Sequence, residues 1–245
     1  MVERIGKAIT LAVMGLATAG MLWSGVRTLV HPALAESSLL VPAPKLDEKA
    51  PVTQKQAKQE VAVLAGGCFW GVQGVFQHVK GVTSAVSGYS GGEASTAQYE
   101  TVSTGTTGHA ESVKITFDPS QVSYGEILRI YFSVVADPTT LNYQGPDYGT
   151  QYRTEIFTSS PEQEKVAAAY IQQLDAAHTF GAPIVTKVAA LKGFYPAEAY
   201  HQDFLALNPS YPYIAYNDIP KVQGLKRLFP NDWRDQPVLV NARKS

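Results

Sequence analysis

The stretch Ala65-Gly66-Gly67-Cys68-Phe69-Trp70-Gly71 decides how this chain folds around its single cysteine. The apolar run 61–64 before it includes β-branched residues and predicts a buried strand, which the two glycines end. Apolar residues at helical spacing then continue to Val79 and predict an amphipathic helix that closes at Lys80-Gly81. Cys68 is therefore expected where a strand gives way to the start of a helix.

The position of Cys68 favours a reactive thiol. The unpaired N–H groups at a helix start carry roughly half a positive charge, which stabilises a thiolate and lowers the pKa of the thiol. A lone cysteine is more often a small buried hydrophobic residue. The two glycines before Cys68 and the two large aromatic residues after it favour the reactive alternative.

The composition excludes several classes of site and partner. The chain has 245 residues, 45% of them hydrophobic, and a formal net charge of −1, so nothing indicates binding to nucleic acid. A single cysteine excludes an intrachain disulfide, a cysteine-based zinc site and an iron–sulfur cluster. Because no HExxH or comparable ligand spacing is present, we expect no metal.

Residues 1–35 have the pattern of a secretory signal peptide. Arg4 and Lys7 precede the uncharged stretch 8–26, and Ala33-Leu34-Ala35 offers a small-x-small cleavage pattern. The uncharged stretch is also long enough to span a bilayer, so an uncleaved membrane anchor is the alternative. In both cases the remainder is expected outside the cytoplasm, as a secreted, periplasmic or lumenal protein.

The rest of the chain divides into a linker, one domain and a tail. Residues 36–59 are rich in Pro, Lys, Glu and Gln without a sustained period, which predicts a flexible linker or a loosely packed arm. The folded domain is expected over 60–216. The segment 217–245 has no regular pattern and is expected to be an irregular C-terminal tail.

The order of the predicted elements indicates an α+β fold. Capping boxes predict helices after Ser123 and Ser160, and a short helix is expected around Tyr99. A further helix is expected over 196–207, and the predicted strands are 61–64, 82–89, 110–117, 153–158 and 184–191. Strand, helix, strand, strand, helix, strand is the order of a ferredoxin-like split βαβ plait, a mixed sheet with helices packed on it.

Five short motifs carry a family resemblance. They are Gly67-Cys68-Phe69-Trp70-Gly71, Gly88-Tyr89-Ser90-Gly91-Gly92, Thr107-Gly108-His109-Ala110-Glu111, Gly149-Thr150-Gln151-Tyr152-Arg153 and Tyr200-His201-Gln202. In this order the chain resembles the peptide-methionine (S)-S-oxide reductases, the A-type methionine sulfoxide reductases, over residues 61–216. The resemblance implies an enzyme that reduces methionine (S)-sulfoxide, free and in oxidised proteins or peptides, for protein repair under oxidative stress.

The resemblance also implies four catalytic residues. Cys68 would attack the sulfoxide sulfur and become a sulfenic acid. Glu111 would donate a proton to the sulfoxide oxygen, which requires a raised pKa. Tyr99 and Tyr152 would donate hydrogen bonds to the same oxygen, where negative charge develops.

Three substrate-binding residues follow from the same resemblance. Phe69 and Trp70 would form the walls of a pocket for the S-methyl group. Asp147 would take part in binding the substrate backbone. His109 and His201 are expected to be structural.

The chain departs from many relatives because it has no second cysteine to resolve the sulfenic acid. An external thiol must then reduce Cys68, and the candidates are thioredoxin, glutathione with glutaredoxin, or a small dithiol. No cofactor is expected. We expect a monomer, with a membrane contact only through an uncleaved N-terminal segment.

Two other functions remain alternatives. A one-cysteine peroxidase would direct a similar thiolate at hydroperoxides, although such sites surround the thiol with Arg and Thr. A catalytically inactive domain that binds oxidised methionine is the other alternative, and the presence of both Cys68 and Glu111 argues against it.

Overall fold

The computed structural model describes residues 38–48 and 59–240. The predicted signal peptide or anchor, residues 1–35, lies outside the described residues. Within the described ranges, none of the helices is long and apolar enough to cross a membrane.

Strands and helices alternate along most of the described chain. The strands are β1 Glu60–Gly66, β2 Val82–Ser90, β3 Ala110–Phe117, β4 Tyr143–Gln144, β5 Asp147–Tyr148, β6 Thr154–Thr158, β7 Lys187–Ala190 and β8 Tyr195–Pro196. The α-helices are α1 Phe69–Gln77, α2 Tyr99–Val102, α3 Tyr124–Ile130, α4 Pro161–Ala176, α5 Phe204–Leu207 and α6 Ile219–Leu228. Two π-helical turns, Tyr131–Val135 and Ile214–Asp218, follow α3 and precede α6.

The main sheet has the strand order β7-β6-β1-β3-β2-β8. Its neighbours pair antiparallel except β6 and β7, which are parallel, so the sheet is mixed. The run β1-α1-β2-β3-α3-β6 places its four strands in the order β6-β1-β3-β2, which is a split βαβ plait. The predicted fold class is therefore confirmed.

Alternation along the strands separates a large core from a small one. Val113, Ile115 and Phe117 of β3 share a face and join the main core, as their spacing predicts, together with the apolar faces of α1 and α3. Val63 of β1 and Phe157 of β6 point to the opposite face and belong to a smaller cluster. The α1 helix, which has Cys68 as its N-cap residue, packs on this main core.

Both predicted capping boxes begin helices. Ser123 Oγ accepts a hydrogen bond from the Glu126 N–H at 3.1 Å, and Ser160 Oγ accepts one from the Gln163 N–H at 3.1 Å. These bonds satisfy N–H groups that have no partner inside the helix.

The predicted flexible linker is wrong for residues 38–48. This segment packs on the domain: Val41 is buried, the Leu39 N–H donates to the Ser133 carbonyl at 2.9 Å, and Tyr170 donates to the Pro42 carbonyl at 2.6 Å. The proline-rich composition of the segment is typical of a linker. However, the Val41 side chain packs in the core, and backbone groups of the segment form hydrogen bonds with the helical part of the domain. Residues 49–58 lie outside the described part of the chain.

Two predictions near the C-terminus are also wrong. The tail is not irregular over Ile219–Leu228, because α6 packs against α1 and buries Leu225. The continuous helix over 196–207 is replaced by a short 3₁₀ turn and α5. Asp203 separates the two with a φ of 60°, and its N–H donates to Gln73 of α1.

Candidate active site

Cys68 lies at the N-cap position of α1, directly after β1 and a tight glycine turn. Gly67 has a φ of 87°, and a Cβ atom there would lie 2.7 Å from Gln144. Only glycine meets both conditions without strain. The glycine turn therefore places Cys68 at the helix start, where the residue is partly exposed.

The first N–H groups of α1 bind two reactive side chains. The Phe69 N–H donates a hydrogen bond to Glu111 Oε2 at 2.9 Å, and the Trp70 N–H hydrogen-bonds to the Cys68 sulfur. These N–H groups have no partner inside the helix. The thiol and the carboxyl therefore share one helix start, although they are 43 residues apart in the chain.

Glu111 lies on β3, opposite Tyr89 of β2, and is 2% exposed. Burial raises the pKa of the Glu111 carboxyl to about 8, and the neighbouring charge of Asp147 adds to the rise. The hydrogen bond from the Phe69 N–H acts in the opposite direction but does not outweigh burial. Glu111 is therefore mostly protonated at pH 7.

The resting thiol differs from the sequence prediction. Burial raises the pKa of Cys68 well above its usual value, and the charges of Glu111 and Asp218 add to the rise. The Trp70 N–H lowers the pKa, as expected at a helix start, but this effect is smaller. The expected lowering of the thiol pKa is therefore wrong for the resting protein, because burial, followed by carboxyls from segments distant in sequence, outweighs the effect of the helix start.

Tyr99 begins α2, and Glu198 fixes that helix start. Glu198 Oε1 accepts a hydrogen bond from the Tyr99 N–H at 2.9 Å, and its Oε2 accepts one from the Tyr89 hydroxyl at 2.9 Å. Burial raises the pKa of the Tyr99 hydroxyl, and the nearby charges of Glu111 and Cys68 raise it further. Tyr99 therefore keeps its proton and faces the reactive pair.

Tyr152 lies in a short 3₁₀ turn that ends just before β6. The neighbouring Arg153 holds this turn by donating to the carbonyls of Gly108 at 2.9 Å and His109 at 3.1 Å. Burial raises the pKa of the Tyr152 hydroxyl, with Glu111 as the next cause. Tyr152 is therefore a second protonated hydroxyl beside Glu111.

Trp70 forms the centre of an aromatic wall. It stacks on Phe204 with ring centroids 4.0 Å apart, and its indole Nε1 donates to His201 Nδ1 at 3.3 Å. A ring nitrogen that accepts this bond belongs to a neutral imidazole, and burial lowers the pKa of His201 accordingly. Unlike Trp70, Phe69 is fully buried in the core, and its ring centroid lies 5.1 Å from that of His201.

Asp147 lies in β5, and Tyr213 connects it to this wall. The Tyr213 hydroxyl donates a hydrogen bond to Asp147 Oδ2, and the Tyr213 ring meets Trp70 edge-on at 6.0 Å. Burial raises the pKa of the Asp147 carboxyl, while the Tyr213 bond lowers it. All seven residues expected from the sequence thus lie around one helix start.

The sequence also matches a known protein family. The sequence profile of the family described as "Peptide methionine sulfoxide reductase" matches residues 60–233. The chain belongs to that family. It is accordingly an oxidoreductase of the methionine sulfoxide reductase A family, which reduces methionine sulfoxide.

Curated relatives and solved structures agree with the family assignment. Peptide methionine sulfoxide reductase MsrA 2 of Mesorhizobium japonicum is 62% identical over 195 residues, which is 80% of this chain and 97% of that protein. MsrA 2 of Synechocystis is 48% identical and covers 81% of this chain and 92% of its own length. Reduced Mxr1 of Saccharomyces cerevisiae has a TM-score of 0.58 at 32% identity, covering 64% of this chain and 90% of its own.

Several residues around the helix start that carries Cys68 are not identified from the sequence. Glu198, Tyr213 and Asp218 reach the site from the stretch after β8, where the sequence shows only scattered polar and aromatic residues. Tyr213 lies among several tyrosines, and nothing local distinguishes it. Tyr213 could be identified only from its contact with Asp147, which is 66 residues away in the chain.

His109 has both ring nitrogens bonded to nearby backbone. The Gly92 N–H approaches Nδ1 at 3.2 Å, and Nε2 lies 3.0 Å from the Glu93 carbonyl. This arrangement fits the structural role expected for His109. No cluster of three or more His, Cys, Asp or Glu side chains suited to a metal ion occurs in the described ranges.

Proposed function

We propose that this reductase acts on the S-epimer of methionine sulfoxide, free and in proteins, with Cys68 as the nucleophile and Glu111 as the proton donor. The observation that carries the proposal is the buried, largely protonated Glu111 carboxyl, held at the same helix start as the only cysteine. A carboxyl that is still protonated at pH 7 and lies next to a thiol is suited to general-acid catalysis.

The aromatic wall orients the substrate. The S-methyl group packs against Trp70 and Tyr213, since aromatic faces favour a polarisable sulfur centre. Phe69 lies behind this wall and supports it from the core. Asp147, fixed by Tyr213, accepts hydrogen bonds from the substrate backbone.

The reaction transfers the sulfoxide oxygen to Cys68. Glu111 protonates the oxygen, the sulfur of Cys68 bonds to the sulfoxide sulfur, and the thiol proton passes to the Glu111 carboxylate. Migration of the hydroxyl to the cysteine sulfur then releases methionine. The balance is one thiol and one sulfoxide giving one sulfenic acid and one thioether.

Tyr99 and Tyr152 stabilise the oxygen as its charge develops. Both hydroxyls keep their protons, because burial and the carboxyl charges raise their pKa values. Two donors aimed at one oxygen form an oxyanion-type site, for which the loss of one donor typically costs about 10²–10³ in rate.

An external thiol reduces the sulfenic acid in this proposal. Cys68 is the only cysteine in the 245 residues, so the second half-reaction needs two equivalents of an added thiol, giving a disulfide and water. Thioredoxin, glutathione with glutaredoxin, and a small dithiol are the candidates. No bound cofactor is required.

The cellular role follows from residues 1–35. With a secretory signal or an anchor there, the proposed role of the reductase is the repair of oxidised proteins outside the cytoplasm under oxidative stress. A monomer is part of the same proposal. Reducing equivalents must then cross a membrane. Cell fractionation and N-terminal sequencing of the protein isolated from cells test this; a cytoplasmic protein that begins at Met1 would contradict it.

Turnover of a methionine sulfoxide peptide with dithiothreitol tests the chemistry. The S-epimer should be reduced, the R-epimer should not, and Cys68→Ser should abolish the reaction. A one-cysteine peroxidase would instead consume hydroperoxide at a comparable rate and leave the sulfoxide unchanged. A binding domain would retain the S-epimer without turnover.

A further inference from the structure

Asp218 is a buried acidic residue that the proposed reaction does not use. It ends the π-helical turn Ile214–Asp218, is 1% exposed, and its Oδ2 atom has no hydrogen-bond partner among the described residues. A carboxyl that loses water without gaining a partner costs free energy. Such a group in the wall of an active site requires a physical explanation.

The Asp218 carboxyl rests on the first turn of α1. A Cβ atom built on Gly71 would lie 2.3 Å from Asp218 Oδ1, so a glycine at this position leaves room for the carboxyl. Gly71 is three residues after Cys68, which places the two on neighbouring parts of one helix face. This contact gives a physical reason for the glycine that ends the motif around Cys68.

Charged and titratable groups approach Cys68 and Asp218 from several elements. Glu111 on β3 and Asp147 on β5 face the thiol together with Asp218. Lys221 of α6 and Asp147 face Asp218. The hydroxyls that also face the thiol are those of Tyr99, Tyr152 and Tyr213.

We propose that Asp218 is a positioning residue that places a negative charge behind the first turn of α1 and thereby keeps the resting Cys68 thiol protonated. A negative charge at this place opposes the thiolate and offsets the favourable effect of the helix start. A protonated thiol reacts slowly with electrophiles. Asp218 therefore limits reactions of Cys68 that do not involve the substrate.

The charge on Asp218 depends on pH near neutrality. Burial raises the pKa of the Asp218 carboxyl to about 7, while Lys221 lowers it and Asp147 raises it. The charge is therefore largely absent at pH 6 and present at pH 8 and above. Its effect on Cys68 has the same dependence, which distinguishes a charge effect from a change in packing.

Alkylation of Cys68 by iodoacetamide tests the inference, because its rate reports the thiolate fraction and the chain has one cysteine. Asp218→Asn keeps the shape of the side chain and removes the charge. We expect similar rates for variant and wild type at pH 6, and an about tenfold faster reaction of the variant at pH 8.5, which corresponds to one unit in the thiol pKa.

Asp235→Asn is the matched control, since it removes a carboxylate that is largely exposed; it should follow the wild-type profile throughout. Identical profiles for Asp218→Asn and wild type would overturn the proposal. An equal change at pH 6 and pH 8.5 would also overturn it, because it reports altered packing.

Lys221→Met provides a second test if Asp218→Asn does not fold. Without the lysine charge, Asp218 stays neutral to higher pH, so alkylation near pH 7.5 should be faster than in wild type. An unchanged rate would overturn the proposal. The inference rests on the proposed function only in taking Cys68 as the reacting thiol, and alkylation needs no sulfoxide, so the two fail separately.

Discussion

The backbone N–H of Phe69 donates a hydrogen bond to Glu111 Oε2 at 2.9 Å. This bond fixes the carboxyl at the helix start that carries Cys68, and it leaves the other carboxyl oxygen available to hold a proton. A buried group that accepts only one N–H bond is not stabilised enough to ionise at pH 7.

Glu111→Gln should slow sulfoxide reduction by about 10²–10⁴-fold, the usual contribution of a general acid. The amide keeps the shape and can still accept the Phe69 N–H bond, so the fold should persist. In wild type, kcat/KM should fall as pH rises above about 8, where Glu111 loses its proton. Steady-state rates from pH 6 to 9.5 measure both effects.

Glu100→Gln is the control for this prediction, since Glu100 is an exposed acid in α2. Its rates should match wild type at every pH. A Glu111→Gln variant that retained full activity would remove this carboxyl from the mechanism.

The same substitution should change how stability depends on pH. The folded-state pKa of Glu111 is raised from about 4.5 to about 8. The contribution of this group to the free energy of unfolding is therefore fully present below pH 4.5 and is lost as the pH rises to about 8. Ionisation of this group therefore costs the folded state roughly 4–5 kcal/mol at high pH. Glu111→Gln should gain free energy of unfolding over wild type between pH 5 and 8.5, measured by urea denaturation; a constant difference would contradict the raised pKa.

Trp70→Leu should raise KM for a sulfoxide peptide more than it lowers kcat, because it removes the aromatic wall to which the proposed mechanism assigns substrate orientation, while leaving Cys68 and Glu111 in place. Iodoacetamide alkylation of Cys68 should change less than twofold. Trp70 is a clearer probe than Phe69, since Phe69→Ala would open a core cavity costing about 3–5 kcal/mol.

Trp233→Leu is the matched control for Trp70, because Trp233 stacks on His78 at the other end of α1. Its KM should stay at the wild-type value. Equal losses of sulfoxide reduction and alkylation in Trp70→Leu would indicate a change in the thiol rather than in the pocket.

Tyr213→Phe should lower kcat/KM about 10-fold or more, because Asp147 loses its hydrogen-bond donor in a buried site. The loss should be larger for a peptide sulfoxide than for a small sulfoxide without a peptide backbone. Tyr216→Phe removes a hydroxyl from an exposed tyrosine in the turn that follows Tyr213 and should leave the reduction of both substrates unchanged. Equal effects on the two substrates would argue against backbone binding by Asp147.

Val41→Ala should destabilise the protein by about 1–3 kcal/mol, because Val41 is 1% exposed and belongs to the main core. Thermal or urea unfolding measures the change. Leu40→Ala is the neighbouring control, since Leu40 is 46% exposed and should cost little. Equal effects at both positions would show that residues 38–48 do not pack specifically.

The sequence by itself determined the order of the main strands and helices from β1 to α4 and the place of the cysteine. The strand before Cys68, the two glycines and the helical spacing after it depend on residues that are neighbours in the chain, and the capping boxes at Ser123 and Ser160 are equally local. These features follow from local conformational preferences, which a sequence records directly. The five motifs then indicated the family, and that resemblance implied seven site residues, five of them within the motifs and Tyr99 and Asp147 outside them.

Only the tertiary structure decided the electrostatics of the site and the packing of the termini. Burial is the main cause of the raised pKa of the Cys68 thiol, and Glu111, Asp218 and Asp147 add to it because the fold brings these distant residues together. The same applies to Val41, a single apolar residue whose burial no local pattern indicates. In α6 the residues Ile219, Val222 and Leu225 do follow helical spacing, and the tertiary structure decides only that this helix packs against α1. Charge interactions and burial depend on distance in space, so a sequence that shows the groups does not show which of them meet.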